Sequence, residues 1–96
     1  MSRRAKFKFR LYVADDTLNS AKALANLTAL CLAHLPNRYE IDVVDVFLEP
    51  GRALDDRVLM TPTLVKLTPS PVRKIVGTLS QPLNVLLALG IEPLAP

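Results

Sequence analysis

Four places in the 96-residue sequence carry side chains that could do chemistry: Cys31, His34, and the pairs Asp15-Asp16 and Asp55-Asp56. A thiolate attacks disulfides, an imidazole moves protons or binds metals, and paired carboxylates share acid and base roles or hold magnesium. The spacing argues against each. Cys31 shares helical spacing with Leu27, Leu30 and Leu35, which makes it a small core residue, and a single cysteine has no internal disulfide partner, as in a reducing compartment. His34 ends the same stretch and reads as a solvent-facing histidine near a helix C-terminus, without companions for a metal site. Asp15-Asp16 reads as a turn and helix-start pair, and Asp55-Asp56 as a solvated helical face. No catalytic residue, cofactor or metal is expected.

The elements that position these residues alternate along the chain. In "FKFRLYV", Phe7, Phe9, Leu11 and Val13 alternate with Lys8, Arg10 and Tyr12, the period of a strand with one covered face. After the polar "ADDTLNS", Leu24, Leu27, Leu30, Cys31 and Leu35 mark a helix that Pro36-Asn37 ends, with Thr17, Asn19 or Ser20 as N-cap. "YEIDVVDVFL" reads as a second strand, and Pro50 opens a short helix carrying Leu54 and Val58. "TLVKL" and "VRKIVG" read as strands joined by the stiff "TPSP", and Ser80 is the N-cap candidate of a last helix with Pro82 in its first turn.

The order β-α-β-α-β-β-α requires a right-handed crossover between parallel strands and ends in an antiparallel hairpin. The expected fold is α/β, a mixed four-stranded sheet with helices on both faces, in the thioredoxin-like plan. In that plan a cis-proline precedes the third strand and faces the loop after the first. Pro62, in "MTPTLVKL", stands at that position, with an ordinary trans proline at the strand's first residue as the alternative. A thiol oxidoreductase of this plan needs an activated cysteine in the loop after strand one. That loop, "ADDTLNS", contains no sulfur.

Half of the residues are apolar, enough for one compact core, so a single domain spanning residues 1–96 is expected. The sequence lacks the roughly 20-residue apolar run of a membrane span and the apolar stretch of a signal peptide, so the expected location is cytoplasmic. The net charge of +3 is unevenly placed: residues 1–10 hold five of the twelve basic side chains, and the remainder is weakly acidic. Residues 1–6 are expected to form a basic, flexible arm. With no Trp and five aromatic residues, the chain shows no base-stacking platform, and nucleic acid is not an expected partner.

The stretches "LYVADDTLNSAKAL", "IDVVDVFLEP" and "MTPTLVKLTPSPVRKIVGTLS" resemble the KaiB family, from about Lys8 to Leu89. The resemblance implies a non-enzymatic regulator that binds the KaiC ATPase ring and, in clock systems, meets KaiA or a histidine kinase sensor. It implies partner-facing basic residues at Lys22, Arg57, Lys66, Arg73 and Lys74. It also implies fold switching between a tetramer-forming ground state and a monomeric thioredoxin-like state, so a homo-oligomer, dimer or tetramer, is an expected alternative.

The residues themselves are compatible with such switching. "PLNVLLALGI" is apolar almost all round and suits a strand or a buried helix, and Pro62, Pro69 and Pro71 are points at which isomerisation could slow an exchange. Where many family members have Gly this chain has Ala88, and with Pro82 it tilts the segment toward a helix. The loop with Asp15, Asp16 and Leu18 also departs from the family pattern, and the family's acidic tail is absent. A KaiB-like relative working with a KaiC-like ATPase in stress or signalling is therefore as well supported as a daily oscillator. Two other expectations stand beside it: a sensor module resembling the clock kinase input domain, against which the end at Pro96 argues, and a redox enzyme, against which the sulfur-free loop argues.

Overall fold

The computed structural model describes residues 6–15 and 17–93, so residues 1–5 of the expected basic arm, and Asp16, lie outside the described residues. Seven elements follow in order: β1 (Phe7–Val13), α1 (Leu18–His34), β2 (Tyr39–Asp45), α2 (Pro50–Asp55), β3 (Thr63–Thr68), β4 (Arg73–Val76) and α3 (Pro82–Leu89). The strands lie in the order β2-β1-β3-β4, with β2 parallel to β1 and the other pairings antiparallel. This is the mixed sheet of the thioredoxin-like plan rather than the alternative packing.

One face of β1 presents Phe7, Phe9, Leu11 and Val13 to a core shared with Leu27, Leu30 and Cys31 of α1 and Val85, Leu86 and Leu89 of α3. The opposite face carries a smaller core of Tyr12, Val44, Ala53 and Val65 beneath α2. Period-2 alternation therefore describes only half of β1. Tyr12, expected on a polar face, is fully buried because α2 covers the end of that face. Among the described residues no helix is long and apolar enough to cross a membrane.

Local chemistry sets where the elements begin and end. Thr17 caps α1 by accepting the Ser20 N–H at 3.3 Å, and buried Ser20 accepts the Ala14 N–H at 3.1 Å, tying the loop to the helix start. The second strand ends at Asp45, before the "VFL" that sequence alone adds to it. The Asp45 carboxylate accepts the N–H of Phe47 at 2.8 Å and of Asp15 at 3.1 Å, turning the chain. Helix α2 stops at Asp55, so Val58 lies beyond it, and Leu54 points to solvent while Ala53 is buried. Arg57 then takes a left-handed conformation at φ +56°. In α3 the N-cap position is Gln81 rather than Ser80, and Gly90 at φ +71° ends the helix as a residue without Cβ readily does.

Candidate functional site

Thiol chemistry would sit where β1 meets α1. A hollow of about 520 Å³ there is lined by Asp15, Asp45 and Glu49 and by aliphatic groups including Leu24, Val43 and Leu48. Two of its carboxylates are engaged: Asp45 holds two backbone N–H groups, and Glu49 accepts from Arg52 at 3.2 Å. Among the described residues no three His, Cys, Asp or Glu side chains converge as a metal site. Cys31 is buried in the main core, and burial pushes its thiol up to about 12. At pH 8, labelling of native Cys31 by iodoacetamide should therefore be negligible over a period in which the urea-unfolded chain reacts completely. Equal rates in the two states would show the thiol to be accessible.

The Thr61–Pro62 peptide bond, just before β3, is cis, as are Thr68–Pro69 and Ser70–Pro71 in the approach to β4. Ala88 lies exposed inside α3. The five basic positions do not form one patch. Register explains the division: Lys66 pairs with Arg73 across β3 and β4, and Lys74 pairs with Val65, so Arg73 and Lys74 project to opposite faces. Lys74 donates to the backbone carbonyl of Asp56, bringing it to the end of α2 and beside exposed Arg57. Lys22 is exposed on α1.

Lys66 departs from the expected rim charge. It is 3% exposed, and its ammonium donates to the Leu89 carbonyl at the last turn of α3, 2.9 Å away, while lying 5.8 Å from the centroid of the Phe7 ring. Leu64 and Lys66 face the same core, so this lysine runs its methylenes along apolar surface and ends on a helix carbonyl that would otherwise lack a partner. Burial, with neighbouring Arg73 adding to it, pulls its pKa below the ordinary lysine range.

A polar network on the α2 face was not visible in the sequence. Arg10 of β1 stands beside Asp42 of β2 in the parallel register and bonds it at 3.3 Å. The same guanidinium reaches the Asp56 carboxylate at 3.0 Å. Tyr12 donates its hydroxyl to Asp56 and stands 2.9 Å from the Arg52 carbonyl oxygen, while Arg52 also binds Asp42. Asp56, expected on a solvated face, thus anchors the end of α2 to the sheet. Burial alone would raise its pKa, but the Tyr12 and Arg10 hydrogen bonds outweigh it and hold the carboxyl below its usual value. An Arg and a Tyr two apart in a strand, with an Asp after a short helix, are too common to signal this arrangement without the register.

Comparison with known proteins adds a sequence relationship to this geometry. A family model described as the KaiB domain matches residues 10–91. The circadian clock protein KaiB3 of Synechocystis sp. is 37% identical over 84 residues, covering 88% of this chain and 82% of that protein. The circadian clock oscillator protein KaiB of Prochlorococcus marinus is 41% identical over 91 residues, covering 95% and 78%. Among solved structures, the N-terminal domain of Synechococcus elongatus SasA superposes with a TM-score of 0.73 at 21% identity, covering 93% of this chain and 87% of that one. Mitochondrial thioredoxin 3 of Saccharomyces cerevisiae gives 0.70 at 19% identity, covering 91% and 79%. At such identities these two likenesses establish the thioredoxin-like fold alone.

Proposed function

Because the chain belongs to the KaiB family, we propose that it is a non-enzymatic regulator that docks on a KaiC-like ATPase ring in a clock or a related signalling system. The observation that carries this reading is the family match over residues 10–91, combined with exposed basic side chains at Lys22, Arg57, Arg73 and Lys74. Such charges at the rim of an interface chiefly set encounter rate and partner choice. Lys66 enters the reading indirectly, by holding α3 in place. The sulfur-free loop and the buried, raised Cys31 thiol support the absence of redox catalysis. The SasA likeness supports a sensor module only at the level of fold, so the regulator reading stands first.

Capture of the cognate ring tests the proposal. The double variant Arg57→Glu/Lys74→Glu, which reverses the two cations that lie together at the end of α2, should bind the ring about tenfold more weakly at low salt, the gap narrowing as salt rises. Its melting temperature should stay near the wild-type value, since exposed charges contribute little to stability. Equal capture by both chains would remove these residues from the docking surface, and a wild-type chain that never engages the ring would remove the function itself.

A further inference from the structure

Three of the exposed apolar side chains of this fold share one place. Phe47 (72% exposed), Leu59 (94%) and Met60 (62%) come from two separate connections, the β2–α2 turn and the α2–β3 segment. They meet around one hollow of about 240 Å³, which Ala14, Val46 and Val58 also line. Among the described residues no charged side chain lines it. Bulky side chains held this far into water across a shared concavity are the form taken by the centre of an interface, where truncation of a few residues removes most of the affinity.

The surroundings indicate what fits. Arg57 directly precedes Val58 of the hollow's wall and is exposed, in the left-handed conformation that turns the chain out of α2. Lys74 sits next to it, its ammonium on the Asp56 carbonyl. An apolar cup with two cations beside it complements a bulky aliphatic or aromatic side chain flanked by carboxylates.

We infer that this hollow receives an apolar residue from an acidic segment of the ring that Arg57 helps to dock; the inference rests on the proposed function and locates the centre of its interface. The register of the contact is then set by the apolar residue, while the cations steer its approach. Leu59 and Met60 belong to neither core cluster and are exposed, so replacing them leaves the packing of the sheet in place.

The test compares wild type, Leu59→Ser/Met60→Ser and Arg57→Glu/Lys74→Glu for binding to the purified cognate KaiC-like ring at two salt concentrations. The apolar double variant should bind at least about tenfold more weakly at both, with the salt dependence of wild type, because it removes buried apolar contact and no charge. An unaltered melting temperature would exclude misfolding, and Phe47→Ser provides an independent loss at the hollow's other wall. Wild-type affinity in both Leu59→Ser/Met60→Ser and Phe47→Ser would overturn the inference while leaving ring docking intact. Failure of wild type to bind the ring at either salt would overturn both. A wild-type dimer that Leu59→Ser/Met60→Ser dissociates would assign the hollow to a second copy of the chain and overturn the inference as well.

Discussion

Lys66→Glu should destabilise the fold by about 3–5 kcal/mol, the range for leaving a buried charge without its partner. The lysine's ammonium is enclosed between the Phe7 ring and the Leu89 carbonyl, and a carboxylate there would face that carbonyl with nothing to donate. For a domain of this size the melting temperature should fall by more than about 12 °C. Lys66→Met keeps most of the stem and removes only the charge and its hydrogen bond, so its loss should be about 1–2 kcal/mol. Arg73→Glu, directly opposite on β4 but exposed, should change stability by no more than about 0.5 kcal/mol. The pH dependence follows from the lowered pKa of Lys66. The unfolded chain holds that proton more tightly, so the burial penalty is complete below the folded pKa and is relieved as pH rises toward the ordinary lysine value near ~10.4. A Lys66→Glu chain melting within a few degrees of wild type would show that this side chain is not enclosed by α3.

The same lysine shows where sequence stops being informative. In "TLVKL" its polarity suggests an exposed position, yet alternation places it on the face of Leu64, and only the path of α3 supplies a carbonyl for it. Features set within a few residues were readable: a cap of α1 among Thr17, Asn19 and Ser20, of which Thr17 is the one used, Pro50 and Pro82 as helix openers, and the apolar stripe ending at Leu35. Boundaries governed by a side chain folding back on the backbone were not. "DVFL" continues a strand by propensity, but Asp45 turns it by accepting the Phe47 N–H. Val58 fits the helical spacing of α2, but the chain leaves the helix at Asp56. The candidate surface was legible as a set of charges and not as a place, because the β3–β4 register sends Arg73 and Lys74 to different faces. The apolar hollow was not legible at all, since its walls lie on connections whose meeting depends on the complete sheet.

Asp56→Asn is expected to lower stability by about 1–2 kcal/mol at pH 7 and by progressively less in acid. The amide keeps the shape of the carboxylate and can still accept from Tyr12, but it discards the charge that strengthens the bonds from the Tyr12 hydroxyl and the Arg10 guanidinium. Because the folded Asp56 has a pKa below its unfolded value, its contribution is complete above the unfolded value near ~3.9 and disappears as pH falls through the folded one. The difference between wild type and Asp56→Asn should therefore be flat from pH 7 to about pH 5 and then shrink. Tyr12→Phe gives a second reading of the same network: it removes the hydroxyl from both Asp56 and the Arg52 carbonyl, loosening the end of α2 from the sheet. In the double variant the two losses should sum to more than the measured total, as expected for residues sharing a bond. Urea midpoints for the four chains between pH 7 and pH 3 decide the question. Strict additivity, or a wild-type advantage that grows in acid, would mean that Asp56 is solvated and that α2 is held by its apolar contacts alone.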